Sequence, residues 1–239
     1  MVDSKLEVKR FADAQALARG VAIDVAGRLA QACATRGKAT LVVSGGRSPV
    51  GFFEELRAQG LDWRRVTIAL ADERWVEAND PGSNERLVRE VLLRGNAAVA
   101  PFIGLKNEAP SPELGAVAAW RALARLPRPF DVTILGMGID GHTASLFPGS
   151  PGLKDALEPD ARPACVSMSS PQPPHARLSL NLSALLDSRH ITVLILGGAK
   201  LGTYEKARAT GPVEEMPVRA LLRQQRVPVE IVWAPATTV

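Results

Sequence analysis

A histidine lies just past an apolar run in this chain, with an aspartate two residues before it. The segment reads Gly136-Met137-Gly138-Ile139-Asp140-Gly141-His142-Thr143-Ala144-Ser145-Leu146-Phe147-Pro148-Gly149 and follows the strand pattern of residues 131–135. A neutral imidazole near pH 7 can take a proton from water and return it to a departing oxygen. Asp140 stands where it can orient that ring or bind a substrate hydroxyl. Three glycines around an Asp-Gly-His are an unusual way merely to join two elements. His175 and His190 have no such setting and read as surface or packing residues.

Four further clusters offer anion chemistry. Ser44-Gly45-Gly46-Arg47-Ser48-Pro49 sits between a strand pattern and a helix pattern. Paired glycines let backbone N–H groups approach a phosphate, and the following helix adds unpaired donors. Ser48 can donate its hydroxyl, whereas Arg47 either adds charge or points to solvent. In Asp72-Glu73-Arg74, Arg74 can hold a phosphate or carboxylate bidentately. Asp72 can accept ligand hydroxyls or orient that guanidinium. Asn84 stands beside a helix start at Ser83 and can brace this loop. Arg177, after Pro173-Pro174, and Lys200, after Gly197-Gly198, are either clamps on an anion or ordinary surface cations.

These residues need elements to hold them, and the pattern supplies an alternation. Apolar residues at helical spacing fill 12–35, with Leu17, Val21, Val25 and Leu29 on one face. Strands are predicted over 39–43, 66–70, 131–135, 164–168, 177–180, 191–196 and 229–233, with a weaker one at 99–103. Helices are predicted over 50–57, 83–93, 113–125, from 198 onward, and over 218–225. Ser83 is the N-cap of its helix, with Arg86 where a capping-box glutamate would stand. Strands alternating with helices imply an α/β, Rossmann-like fold with a mainly parallel sheet flanked by helices. In such sheets ligands bind beyond the carboxyl ends of the strands, where the clusters fall. The Pro- and Gly-rich stretch 148–174 reads as a long surface excursion.

Composition narrows the function classes. At 239 residues, 46% hydrophobic and 23% charged, the chain fits a single globular domain spanning 1–239. Its net charge of +4 suits a small anionic substrate and argues against nucleic acid or a membrane surface as partner. Residues 1–10 carry both signs of charge and no apolar core, and no stretch nears the ~20 apolar residues that span a bilayer. Two distant cysteines, Cys33 and Cys165, read as core filler in a reducing cytoplasm. No zinc-like spacing and no Gly-x-Ser-x-Gly elbow occur, so neither metal nor cofactor nor a serine acyl-enzyme is expected. The protein is expected to be a monomer or weak homo-oligomer.

Taken in order, Ser-Gly-Gly-x-Ser-Pro, Asp-Glu-Arg, Ser-Asn, Gly-x-Gly-x-Asp-Gly-His-Thr-Ala-Ser-Leu-Phe-Pro-Gly, Pro-Pro-x-x-Arg and Gly-Gly-x-Lys resemble the 6-phosphogluconolactonase family over about residues 41–200. The resemblance implies a fold shared with sugar-phosphate isomerases and aminosugar-phosphate deaminases. It implies hydrolysis of 6-phospho-D-glucono-1,5-lactone, the product of glucose-6-phosphate dehydrogenase, in the oxidative pentose phosphate pathway. By that likeness His142 is the general base and the turn 44–48 holds phosphate, with Arg74, Arg177 and Lys200 supplying positive charge. Arg47 departs from the Ser or Thr common in the wider superfamily. Two rival readings differ in kind. An aminosugar-phosphate deaminase or isomerase would carry a glutamate where Phe147 stands. A non-catalytic sugar-phosphate sensor serving a transcription regulator would need a DNA-binding module, for which the pattern offers no room before the first core helix.

Overall fold

The computed structural model describes residues 7–236. Strand β1 (Val8–Arg10) leads into helix α1 (Ala14–Arg36), β2 (Ala39–Val43), α2 (Val50–Arg57), β3 (Val66–Leu70), β4 (Asp72–Arg74), the short α3 (Asn84–Leu87), β5 (Phe102–Ile103) and α4 (Pro112–Leu123). The second half runs β6 (Val132–Gly136), α5 (Leu153–Ala156), β7 (Cys165–Ser169), β8 (Ala176–Leu180), α6 (Leu182–Leu186), β9 (Ile191–Leu196), α7 (Gly198–Arg208), α8 (Val218–Arg223) and β10 (Val229–Ala234).

Local chemistry explains the longest helix. Leu17, Val21, Val25 and Leu29 recur every fourth residue and are all buried. The Asp13 carboxylate accepts the Ala16 N–H at 2.7 Å and caps the start. Gly37 ends the helix in the left-handed region, its N–H returning to the Cys33 carbonyl. Strand β2 is buried at every residue, as expected of a central parallel strand covered on both faces.

Seven strands form one sheet in the order β1-β10-β9-β6-β2-β3-β5, and every neighbouring pair is parallel. From β2 the chain moves outward to β3 and β5, then returns to β6 on the other side and proceeds through β9 to β10. The order therefore reverses between β2 and β6, which opens a crevice at their carboxyl ends. Val43 pairs with both Leu70 and Ile134, so the three strands finish nearly level. The polar segments after them emerge side by side.

A second sheet, order β4-β8-β7, is antiparallel. It corrects the reading of 148–174 as a surface excursion. That stretch contains α5 and β7, and Ser150, Leu153, Ala156, Leu157, Cys165 and Met168 are buried. Its prolines fall between the buried positions, so composition hid the packing. The helix expected over 83–93 is α-helical only to Leu87 and widens to a π-turn over Val88–Leu92. Residues 95–99 form a 3₁₀ turn, leaving only Phe102–Ile103 of the weaker strand. Cys33 and Cys165 are buried free thiols, and burial pushes the latter up to about 12. Among the described residues no helix is long and apolar enough to cross a membrane.

Candidate active site

Ser44, Gly45, Gly46, Arg47, Ser48, Asp72, Arg74, His142, Arg177 and Lys200 all line one cleft at the crevice between β2 and β6. Every residue expected to bind or react is thus brought together. Asp140 stands directly behind His142. The histidine comes from the loop after β6, the phosphate-type turn from the end of β2, and Lys200 from the first turn of α7 after β9. Asp72, Arg74 and Arg177 come from the antiparallel sheet.

The loop after β6 is a tight turn held by its own backbone. Gly138 N–H donates to the His142 carbonyl at 2.9 Å, and Gly141 N–H donates to the Gly138 carbonyl at 3.1 Å. Neighbouring elements pin it: Val218 N–H reaches the Gly141 carbonyl at 2.9 Å and the Thr203 hydroxyl reaches the Ile139 carbonyl at 3.1 Å. Within this frame Asp140 Oδ1 lies 2.6 Å from Nδ1 of His142 and also accepts the His142 backbone N–H at 3.1 Å. A carboxylate accepts only, so Nδ1 carries the proton and Nε2 keeps the lone pair. Burial alone would raise the Asp140 pKa, but the hydrogen bonds from His142, and the charge its ring bears when protonated, outweigh it and hold the group below its usual range. The Phe147 ring packs against the imidazole, centroids 4.3 Å apart. A glutamate relay of the deaminase type has no counterpart there.

The cationic wall is strained by its own charges. Arg74 and Arg177 are directly opposed across β4 and β8. Like charges in that position destabilise a sheet unless an anion lies between or beside them. Arg177 is only 5% exposed, and its Nε and Nη1 have no acceptor. Burial first, then the charge of Arg74, pulls its pKa down to about 10, which still leaves a cation at neutral pH. Lys200 donates to the Ser48 hydroxyl at 2.9 Å, tying α7 to the glycine turn. Burial and the neighbouring Arg47 lower its pKa too. A buried guanidinium with two unbonded N–H groups beside a second cation, only partly offset by the charges of Asp72 and Glu73, is costly in the free protein, and a dianionic ligand lowers that cost.

Asn84 braces the Asp72–Arg74 segment as the sequence suggested, whereas Glu73 and Ser145 left little trace there as supports. Glu73 is fully buried, and its carboxylate accepts N–H groups from Arg74, Asn84 and Glu85 at 2.7 Å each and the Ser83 hydroxyl at 3.0 Å. From β4 it satisfies the first two backbone N–H groups of α3, while the Ser83 N–H is taken by the Asp80 carbonyl. Burial raises its pKa, partly opposed by those four hydrogen bonds. Asn84, fixed this way, donates from Nδ2 to the Asp72 carbonyl at 2.8 Å and presses its Oδ1 against Gly45. A Cβ on Gly45 would sit 1.9 Å from that oxygen, so the turn requires glycine there. Ser145 donates to Asp72 Oδ2 at 2.7 Å, leaving Oδ1 unpartnered. A charged residue close behind an apolar strand was the one sequence signal for Glu73.

Known proteins match this arrangement over almost the whole chain. A 6-phosphogluconolactonase from Pseudomonas aeruginosa is 51% identical over 218 residues, covering 91% of this chain and 90% of that protein. One from Pseudomonas putida is 45% identical over 230 residues, covering 96% and 93%. The crystal structure of a 6-phosphogluconolactonase from Shewanella baltica OS155 superposes with a TM-score of 0.93 at 45% identity, covering 98% of this chain and 99% of that one. The profile described as glucosamine-6-phosphate isomerases/6-phosphogluconolactonase matches residues 12–233. With that match running from the first helix to the last strand, the chain belongs to the glucosamine-6-phosphate isomerase/6-phosphogluconolactonase family.

Proposed function

We infer that this protein is a 6-phosphogluconolactonase: it hydrolyses 6-phospho-D-glucono-1,5-lactone to 6-phospho-D-gluconate in the pentose phosphate pathway. The observation that carries the reading is His142, backed by Asp140 at 2.6 Å and lining the same cleft as the glycine turn and Arg74, Arg177 and Lys200. The high identity to proteins of that name supports it.

In this mechanism Nε2 of His142 takes a proton as a water oxygen adds to the lactone carbonyl. Asp140 holds the ring in the required tautomer and stabilises the imidazolium. The imidazolium then protonates the ring oxygen as its bond to the carbonyl carbon breaks, which leaves the free acid and a hydroxyl. Atoms and protons balance without any further reactant. Arg74 in the same cleft is a donor able to steady the tetrahedral oxyanion, with N–H groups of the glycine loop after β6 as the alternative. The phosphate rests on the turn 44–48, with Lys200 and Arg177, and Asp72 offers Oδ1 to a sugar hydroxyl. The buried free cysteines suit a reducing cytoplasm, where we place the protein as a single domain acting alone or as a weak homo-oligomer.

A direct assay tests the reading. The lactone is generated in place by glucose-6-phosphate dehydrogenase, and formation of 6-phosphogluconate is compared with a protein-free control. Acceleration well beyond spontaneous ring opening is expected. A rate equal to the control refutes the assignment.

The cationic wall makes a separate prediction. Replacing Arg177 by Met removes an unpaired buried charge, so the ligand-free protein should be as stable or gain about 1 kcal/mol. Affinity for 6-phosphogluconate should fall roughly 30-fold, the equivalent of about 2 kcal/mol for losing one member of a buried charge pair. Thermal unfolding with and without the product reads both effects. A variant that loses stability and keeps product affinity would contradict this role for Arg177.

A further inference from the structure

A second cluster of ligand-type side chains lies at the opposite end of the sheet from the cleft. Asp24 projects from α1, His190 immediately precedes β9, and Glu230 is the second residue of β10. One ligand atom from each lies within 4.8 Å of the others. The cleft occupies the carboxyl ends of the strands, whereas this cluster sits at the amino ends of β9 and β10. It plays no part in the reaction derived above. No ligand spacing along the chain signals it, because the three residues come from three separate elements.

The imidazole makes this more than a patch of surface charge. His190 is 7% exposed, and its Nε2 is buried without any hydrogen-bond partner. Its backbone is fixed, since its carbonyl accepts the Thr133 N–H at 2.9 Å and the next residue, Ile191, donates to the Pro228 carbonyl at 3.0 Å. The ring is therefore held in place while one nitrogen goes unsatisfied, an arrangement that costs free energy in a purely structural histidine. Nε2 faces Glu230 Oε2 at 3.9 Å, too long for a hydrogen bond.

The carboxylates are available on their inner sides. Lys9 engages Oε1 of Glu230 at 3.2 Å, which leaves Oε2 facing the imidazole. Arg28 engages Oδ2 of Asp24 at 2.7 Å from the next helical turn. Both cations are half exposed, with side chains 50% and 40% accessible, so each can turn to solvent at little cost. Burial first, then the charge of Arg28, lowers the His190 pKa, against the opposing charges of Asp24 and Glu230.

We propose that Asp24, His190 and Glu230 form a binding site for a divalent transition-metal ion of the zinc type, separate from the catalytic cleft. One imidazole nitrogen and two carboxylates are a donor set that such ions accept, and the two negative charges match the ion's charge. Tetrahedral coordination at 2.0–2.2 Å places ligand atoms about 3.4 Å apart. Rotation of the two flexible carboxylates closes the present separation to that value, with water completing the shell. The ion would tie α1 to β9 and β10, and so act on stability rather than on turnover.

The test uses chelator-treated, full-length protein titrated with zinc chloride by calorimetry, alongside thermal unfolding. Saturable binding of one equivalent at this site and a higher unfolding temperature are expected. Both should persist in His142→Asn, which removes the imidazole of the cleft. In His190→Gln and Glu230→Gln, affinity should drop by more than about tenfold. Asp24→Asn, on the partly exposed helix face, provides a third variant that can be compared if either of those folds poorly. Absence of saturable binding overturns the proposal. So does binding that survives all three substitutions, or that disappears with His142→Asn, which would place the ion in the cleft.

Discussion

Replacing His142 by asparagine should lower lactone turnover by about 10²–10⁴-fold, the usual contribution of a positioned general base. Asparagine fills a similar space and can still hydrogen-bond to Asp140, but it has no nitrogen lone pair able to take a proton from water. The groups proposed to hold the phosphate lie on other elements: the turn after β2, the start of α7 and the antiparallel sheet. Affinity for 6-phosphogluconate should therefore stay close to that of the parent protein. The split between a collapsed kcat and a preserved product affinity is the diagnostic, measured with the spontaneous rate subtracted. A folded variant with parental turnover would remove His142 from the mechanism. Asp140→Asn should also slow the reaction, because an amide can present its oxygen or its NH₂ to Nδ1 and no longer fixes the tautomer.

The second large effect is expected at a residue with no functional group. A Cβ on Gly138 would lie 2.2 Å from both Cε1 and Nδ1 of His142 and 2.4 Å from Oδ1 of Asp140. Those distances are far inside van der Waals contact, so in Gly138→Ala the ring and the carboxylate must both move. The turn leaves them little freedom, because Gly138 is hydrogen-bonded to the His142 carbonyl on one side and to Gly141 on the other. A displacement near 1 Å costs about 10²-fold in rate when it misplaces a reacting group. We expect kcat to fall by that factor with KM changed little. Gly27→Ala on α1 is the control, since its added methyl would meet nothing within 4 Å. Parental kcat in Gly138→Ala would show that the loop relaxes freely and that the pair needs no such clearance.

The main sheet was legible because its strands are apolar and short, and the helices between them repeat their apolar residues at four-residue steps. Strands 39–43, 66–70 and 191–196 fall where the sequence places them. The antiparallel sheet was legible only in part. Strand β4 is Asp72-Glu73-Arg74, three charged residues that no hydrophobic pattern would assign to a strand. It forms because β8 offers a hydrogen-bonding edge and because Glu73 finds four donors inside the protein. Strand β1 is equally short and polar, and it exists as an edge beside β10. For the site, residue types and glycine spacing picked out side chains that the fold gathers around one cleft. What they could not show was support: the Glu73 carboxylate under Asn84, Asn84 against Gly45, and Ser145 on Asp72. Those contacts join segments up to 73 positions apart and depend on register rather than on local pattern.

The site draws on two sheets, and the division follows chemical labour. The proton-transfer pair hangs from the parallel layer, while Asp72, Arg74 and Arg177 belong to the antiparallel ribbon. Substitutions at Asp72 and Arg177 in the ribbon can therefore change which sugar is preferred without touching the His142–Asp140 pair. Divergence of substrate preference within one architecture then needs only local edits to a three-stranded module, with the proton-transfer pair inherited whole.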